Sequence, residues 1–281
     1  MKILITGSNG MLAKAVKNQF KDGNELICTD VAELDITDEK ATMDYVQNVK
    51  PEYIINCAAY TAVDKAEEQE EIAEKVNAIG PKNLALAAKA VDCTLVHIST
   101  DYVFGGDKDV NEAYTENEPK APVTAYGRTK LHGEEYIEQI ADKYYIFRTA
   151  WLYGDGNNFV RTMLKLGSER EEVSVVTDEH GSPTYAVDLA SIIAQAIEKK
   201  IPYGIYHSTN QGFTTWYDFT KKIFELSNTN CIVNKTTAAE FKRAAKRPTN
   251  SKLSKEKLLN QGVVIPDYED ALKRYLEIEL K

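Results

Sequence analysis

Four cysteines in 281 residues, none spaced Cys-x-x-Cys, argue against both a disulfide framework and a zinc ribbon. Cys28, Cys57, Cys93 and Cys231 fall mostly in or beside apolar, strand-like runs. Buried free thiols in a reducing cytoplasm are therefore expected. His97, His132, His180 and His207 lack metal-ligand spacing, so no metal site is expected. Basic residues are the minority: 34 Lys and Arg against 43 Asp and Glu give a net charge of −9, which excludes a nucleic-acid surface as a natural role. No apolar run approaches the ~20 residues of a membrane span, and Ile3 to Ile5 is too short for a signal-peptide core. No membrane partner is expected. Repeats and low-complexity tracts are also missing. What remains is a 43% apolar chain with room for one large α/β domain, alone or with a smaller one.

The first thirteen residues, Met-Lys-Ile-Leu-Ile-Thr-Gly-Ser-Asn-Gly-Met-Leu-Ala, are the most informative. Ile3 to Ile5 suit a strand buried on both faces of a parallel sheet. Gly7 and Gly10 let the backbone turn sharply and approach a bound group, and Ala13 lets the next helix pack closely. A helix N-terminus leaving such a turn offers free N–H groups to a phosphate. Asp30, about 20 residues on, can accept from a ribose hydroxyl. The plainer reading is a β–turn–helix whose glycines serve only the turn.

Strand-like Glu25–Thr29, Tyr53–Cys57, Thr94–Ile98 and Tyr144–Arg148 alternate with helical stretches near 11–21, 38–49, 64–76, 81–91 and 124–141. That alternation predicts a doubly wound, Rossmann-like α/β parallel sheet with helices on both faces. After Trp151 the pattern loosens. A helix at 159–166, a strand at Val173–Val176, a helix at 186–199 and a strand at Gly204–His207 are expected, then helices at 216–226 and 267–276. A basic stretch, 242–257, reads as solvated helix faces. The division expected is a dinucleotide domain from 1–151 plus about 171–207, with strands that finish the sheet. A smaller C-terminal substrate-binding domain takes about 152–170 plus 208–281.

Ligands of open α/β sheets bind at the carboxyl ends of the strands. Three such ends carry chemistry: the glycine turn, Asn56-Cys57-Ala58-Ala59-Tyr60-Thr61 with its small residues, and Ser99-Thr100-Asp101. The last brings two hydroxyls and a carboxylate, or is merely a polar turn. Tyr126 and Lys130 stand four apart on one helix face. An ammonium beside a phenol lowers the phenol's pKa toward neutrality, so Tyr126 is expected to donate a proton to a carbonyl oxygen as hydride arrives at carbon. Tyr217 and Lys221 share the spacing, but lie in the tail, far in sequence from the strand ends.

In this order, the glycine turn, Asn-x-Ala-Ala, the Ser-Thr strand end and Tyr-x-x-x-Lys resemble the extended short-chain dehydrogenase/reductase family. Finer matches run along nearly the whole chain. They are Ala58 to Glu67, Ser99 to Phe104, Arg148-Thr149-Ala150-Trp151, Gly181-Ser182-Pro183-Thr184 and Arg247-Pro248-Thr249-Asn250-Ser251.

The resemblance implies NADH or NADPH as cofactor and reduction of the C4 ketone of a dTDP-linked 4-keto-6-deoxy sugar. It implies that Gly10, Met11 and Leu12 hold the pyrophosphate, Asp30 the adenosine ribose, and Asp35 and Ile36 the adenine. Ala59, Tyr60 and Thr61 would line the nicotinamide. Thr100 would bind the reacting oxygen, Tyr126 would be the acid, and Lys130 would position it and hold the ribose. Thr100, Asp101 and Trp151 would contact the sugar, and Arg247 the diphosphate. From the residues alone, the alternatives are Trp151 as a core aromatic and Arg247 as a solvated cation. Asp30 disfavours a 2′-phosphate, which leans toward NADH.

Some relatives form magnesium-bridged dimers through an acidic residue in the first helix. Residues 11–21 hold no carboxylate here, so no metal-bridged dimer is expected, only a monomer or weak homodimer. Gly105 replaces an aspartate common in relatives. The rival readings are a nucleotide-sugar epimerase or dehydratase of the same superfamily, and a non-catalytic regulatory subunit with the same fold.

Overall fold

The computed structural model describes residues 1–241 and 243–281. β1 (Lys2–Thr6) runs through the glycine turn into α1 (Met11–Phe20), and β2 (Glu25–Thr29) returns parallel beside β1. α2 (Glu39–Val49) starts at Asp38, whose side chain accepts from the Ala41 N–H, and leads to β3 (Tyr53–Asn56) on the other side of β1. α3 (Val63–Ala66), α4 (Glu70–Glu74), a π-helical turn over Lys75–Ile79 and α5 (Gly80–Ala90) precede β4 (Thr94–Thr100). α6 (Ala125–Ile140) and β5 (Tyr144–Thr149) complete the regular alternation.

The second half leaves the sheet and returns once. β6 (Leu152–Tyr153), α7 (Phe159–Glu169), β7 (Glu172–Val176), β8 (His180–Gly181) and β9 (Thr184–Tyr185) lie outside it. α8 (Ala186–Lys199) then delivers β10 (Gly204–His207) to the β5 edge. The tail holds β11 (Thr214–Thr215), α9 (Trp216–Ser227), β12 (Ile232–Thr236), α10 (Glu256–Leu259) and α11 (Tyr268–Glu279).

The central sheet is parallel, in the order β10-β5-β4-β3-β1-β2. Strand order reverses between β1 and β3, and the crevice at that switch is where ligands of such sheets bind. Alternation within β1 divides the core. Ile3 and Ile5 pack with Val16, Leu189 and Ile193 under α1 and α8, whereas Leu4 packs with Val46, Ile54 and Leu84 on the opposite face. All three β1 residues are fully buried, as the doubly wound reading requires.

Three expectations are corrected. Val173–Val176 does not finish the sheet; as part of β7 it pairs with β12 in a separate two-stranded sheet. Its alternating burial, with Val173 and Val175 inward and Ser174 outward, suits a strand with one wet face. All four cysteines are free thiols, but only Cys93 is buried: Cys28 is exposed on the edge strand β2, and Cys57 and Cys231 are half-buried. The single helix expected over 64–76 is broken into α3, α4 and the π turn. That turn points the buried Asn77 side chain back at Tyr60, whose N–H and carbonyl it binds at 2.8 and 3.0 Å, and at the Thr129 hydroxyl at 3.1 Å. A π segment of this kind trades helical regularity for one inward-facing side chain.

A second core, with Tyr153, Val160, Phe219, Ile223 and Leu272, lies among α7, α9, α11 and β7. Among the described residues no helix is long and apolar enough to cross a membrane.

Candidate active site

Gly7 has φ +62°, and a Cβ there would sit 2.6 Å from backbone atoms of Ala58. Only glycine lets the β1 turn lie against the loop after β3. Gly10 caps α1 without a side-chain hydrogen bond, and the first turn holds no acid. The helix N–H groups and positive dipole end thus remain available to an anion.

Two cavities flank this turn. One, of about 290 Å³, is lined by Gly7, Gly10, Asp30, Asp35, Ile36 and Ala59. The Asp30 carboxylate accepts from the N–H groups of Asn9 and Val31, which hold it at the cavity wall. The other, of about 420 Å³, shares Gly10, Cys57, Ala58 and Ala59 with the first and adds Met11, Leu12, Thr61, Thr100, Asp101, Tyr126, Lys130 and Trp151. The expected adenosine-side and nicotinamide-side residues therefore line one continuous groove at the carboxyl edge. Tyr60 is the exception. Its ring packs beside Ala66, Ala73 and Ala125, and its hydroxyl donates to Gln69 at 2.7 Å. Backbone clamping by Asn77 turns the side chain out of the groove.

Tyr126 is placed by the start of α6. The Thr124 side chain caps the helix by accepting from the Gly127 N–H, and a Cβ at 127 would collide with the Tyr102 carbonyl. α6 thereby lies against the segment after β4, with the Tyr102 and Tyr126 rings edge to face at 5.5 Å. Burial pushes the Tyr126 phenol up to about 12, against a smaller opposing effect from the Thr100 hydroxyl. The expected lowering by Lys130 is corrected by this geometry. Lys130 Nζ donates to the Ile98 carbonyl at 2.6 Å and lies 3.2 Å from His97 Nε2. Burial lowers Lys130 to about 8. The spacing puts both residues on one helix face, but the Lys130 Nζ is engaged by β4.

Thr100 has one proton and donates it to Asp101 at 2.9 Å, while accepting from the Tyr102 N–H. Ser251 donates to the other Asp101 oxygen at 2.5 Å. Burial nonetheless raises the Asp101 carboxyl to about 6, because those donors offset only part of the desolvation. Releasing Thr100 toward a substrate oxygen is easier when Asp101 carries its own proton.

Trp151 separates this groove from a third cavity of about 320 Å³ that also holds Tyr102, Phe159, Trp216, Arg243 and Arg247. Arg247 donates to Asp64 at 2.6 Å, and its buried Nη1 has no partner. Arg243 pairs with the buried Glu179 at 2.7 Å. The basic stretch is thus not a set of solvated helix faces. Its described part before α10 carries no helix, Lys255 is buried, and Lys242 lies outside the described residues. Tyr217 and Lys221 sit in the C-terminal core region, with Nζ 5.6 Å from the ring centre, away from the groove.

Sequence reasoning missed Tyr102, Trp216 and Thr149 as lining residues. Thr149 and Ser99, the latter expected at the β4 end, present buried hydroxyls without a protein partner. Tyr102 follows Thr100 and Asp101 at the same strand end, a signal that points to it; Trp216 has no local signal. No group of three or more His, Cys, Asp or Glu able to hold a metal occurs among the described residues.

The family model described as the RmlD substrate binding domain matches residues 1–280. The dTDP-4-dehydrorhamnose reductase of Escherichia coli K12 is 38% identical, covering 98% of this chain and 97% of its own. The crystal structure of the dTDP-4-dehydrorhamnose reductase of Clostridium acetobutylicum superposes with a TM-score of 0.97 at 48% identity over the whole of both chains. That of Bacillus anthracis, in complex with NADP, gives 0.95 at 41% identity over 99% of each. The UDP-glucose 4-epimerase of Thermus thermophilus shares the fold at 19% identity, TM-score 0.82, covering 99% of this chain and 98% of its own. The chain belongs to the dTDP-4-dehydrorhamnose reductase family.

Proposed function

We propose that this protein is an NAD(P)H-dependent oxidoreductase that converts the C4 ketone of dTDP-4-dehydro-L-rhamnose to the alcohol of dTDP-L-rhamnose. The observation that carries the reading is a single cavity lined by Gly10, Met11 and Leu12 on one side and Thr100, Tyr126 and Lys130 on the other. The groove fits a dinucleotide: Gly7 gives the close backbone approach, α1 offers uncapped N–H groups, and Asp30 stands where a ribose diol can donate. Bound reduced nicotinamide would supply the hydride.

This chain's residues supply the rest. Tyr126 is neutral at working pH and so has a proton to give to the C4 oxygen. Thr100 hydrogen-bonds that oxygen, and Lys130 holds the nicotinamide ribose and orients the phenol. Asp101 and Trp151 contact the sugar. Arg247, whose Nη2 is held by Asp64 and whose Nη1 has no partner, meets the diphosphate through Nη1. The sheet with its covering helices serves as the cofactor domain and the C-terminal core as the nucleotide-sugar domain. Asp30 favours NADH over NADPH by charge, in a cytoplasmic enzyme that is a monomer or weak homodimer.

The test is loss of reduced-nicotinamide absorbance on mixing the protein with a panel of 4-keto nucleotide sugars. Oxidation of cofactor in stoichiometric excess with the dTDP sugar is expected. An epimerase or dehydratase, which retains its cofactor through the cycle, would consume none.

A further inference from the structure

A line of buried side chains crosses three adjacent strands beneath the groove and ends on Lys130. Thr6 on β1, Asn56 on β3 and His97 on β4 are register partners, so their side chains meet laterally. Thr6 donates to Asn56 Oδ1 at 2.7 Å, and the Ala58 backbone N–H donates to the same oxygen at 3.1 Å. A backbone N–H has no alternative role, so it fixes which end of the Asn56 amide is oxygen. The Asn56 NH₂ therefore faces His97 Nδ1 at 3.0 Å, and that nitrogen must accept. A neutral imidazole that accepts at Nδ1 carries its proton on Nε2. Nε2 lies 3.2 Å from Lys130 Nζ.

An ammonium has three donors and no lone pair, so against an N–H it makes no hydrogen bond. An uncharged amine does: it accepts from His97 Nε2–H and donates to the Ile98 carbonyl. We propose that His97, locked as its Nε2–H tautomer by Asn56, is a positioning residue that holds Lys130 as the uncharged amine in the cofactor-free protein. The inference rests on the reductase reading only for the importance of Lys130.

His97 is fully buried and Lys130 nearly so. The other charged or titratable groups around the pair are Cys57 after β3, and Tyr126 and Glu134 on α6. Glu134 favours the ammonium, but its carboxylate is already shared by Arg148 on β5 at 2.7 and 2.9 Å. Cys57 is pushed up to about 12 by burial and stays neutral. Burial holds His97 well below the ordinary histidine range, so it has no proton to spare at Nδ1.

The experiment is nitrogen-15 NMR of the full chain without cofactor. Histidine ¹⁵N–¹H correlations read the His97 tautomer, and lysine ¹⁵Nζ shifts read the charge of Lys130, assigned by the signal missing in Lys130→Met. Expected are a bare Nδ1, a protonated Nε2 and a Lys130 that titrates below the value of about 8 that burial gives it, so that it is uncharged at neutral pH. His97→Gln can turn an amide oxygen to Nζ, and Asn56→Asp forces the proton onto Nδ1. Both should move the Lys130 titration upward by about one pH unit. A protonated Nδ1, or a Lys130 titration unchanged in both variants, overturns the proposal. None of these readouts needs turnover, so failure of the reductase assay would leave them interpretable. If the variants do not fold, the wild-type tautomer and lysine titration decide alone.

Discussion

The indoles of Trp151 and Trp216 stack with ring centres 3.6 Å apart and planes 12° from parallel. This contact joins the segment after β5 to the first residue of α9, with Trp151 lining both neighbouring cavities. Trp151 adopts φ +48°, unusual for a bulky residue, and the stack helps to hold it there. Trp216→Ala should remove about 1 kcal/mol of pairing beyond the lost burial and lower Tm by a few degrees. KM for the nucleotide sugar should rise while cofactor Kd stays unchanged. Titrations with each ligand check the split; equal weakening of both would show that the stack serves the whole fold.

Tyr126→Phe removes one hydroxyl and little packing. Its kcat should fall by roughly 10²–10⁴-fold, the range of a lost general acid, with cofactor affinity nearly intact. Stopped-flow cofactor oxidation measures the first and fluorescence titration the second. An undiminished kcat would remove Tyr126 from proton transfer.

Glu134 and Arg148 form a doubly hydrogen-bonded pair with neither side chain accessible to solvent. Glu134→Ala strands a buried guanidinium and should cost about 3–5 kcal/mol, whereas Glu134→Leu with Arg148→Met should cost much less. Urea unfolding of the two variants distinguishes a stranded charge from simple loss of volume.

Asp101 is raised to about 6 by burial, so the folded state holds its proton more tightly than the unfolded chain. The stabilisation this provides is complete below the unfolded value, near pH 4, and is lost as pH rises through 6. Relative to Asp101→Asn, the wild type should therefore lose about 3 kcal/mol between pH 4 and pH 7, an order-of-magnitude figure from the two-unit span. Chemical denaturation at a series of pH values measures it. A constant difference between the two proteins would place the Asp101 titration elsewhere.

The glycine turn, the strands β1 to β5 and the Tyr126–Lys130 face were legible because their signals are local. Apolar strands, turn residues and an i, i+4 spacing each occupy a few consecutive positions. The partner of Lys130 was not legible. Ile98 and His97 reach it only because β4 packs under α6, and spacing along one helix says nothing of what lies beneath it. Tyr60 misled for a related reason: it sits between two lining residues, but Asn77, seventeen positions on, decides where its ring goes. Val173–Val176 reads as a strand in either sheet, and nothing local says which neighbour it takes.

Taken alone, the order of residues determined a parallel nucleotide-binding sheet and the side chains brought to its carboxyl edge, since burial period and turn chemistry are properties of short segments. Tertiary packing alone decided the charge and direction of those side chains. The Lys130 amine faces β4, Asp101 is buried beside Ser251, and two tryptophans stand face to face, because desolvation and contact arise only once distant segments share one interior.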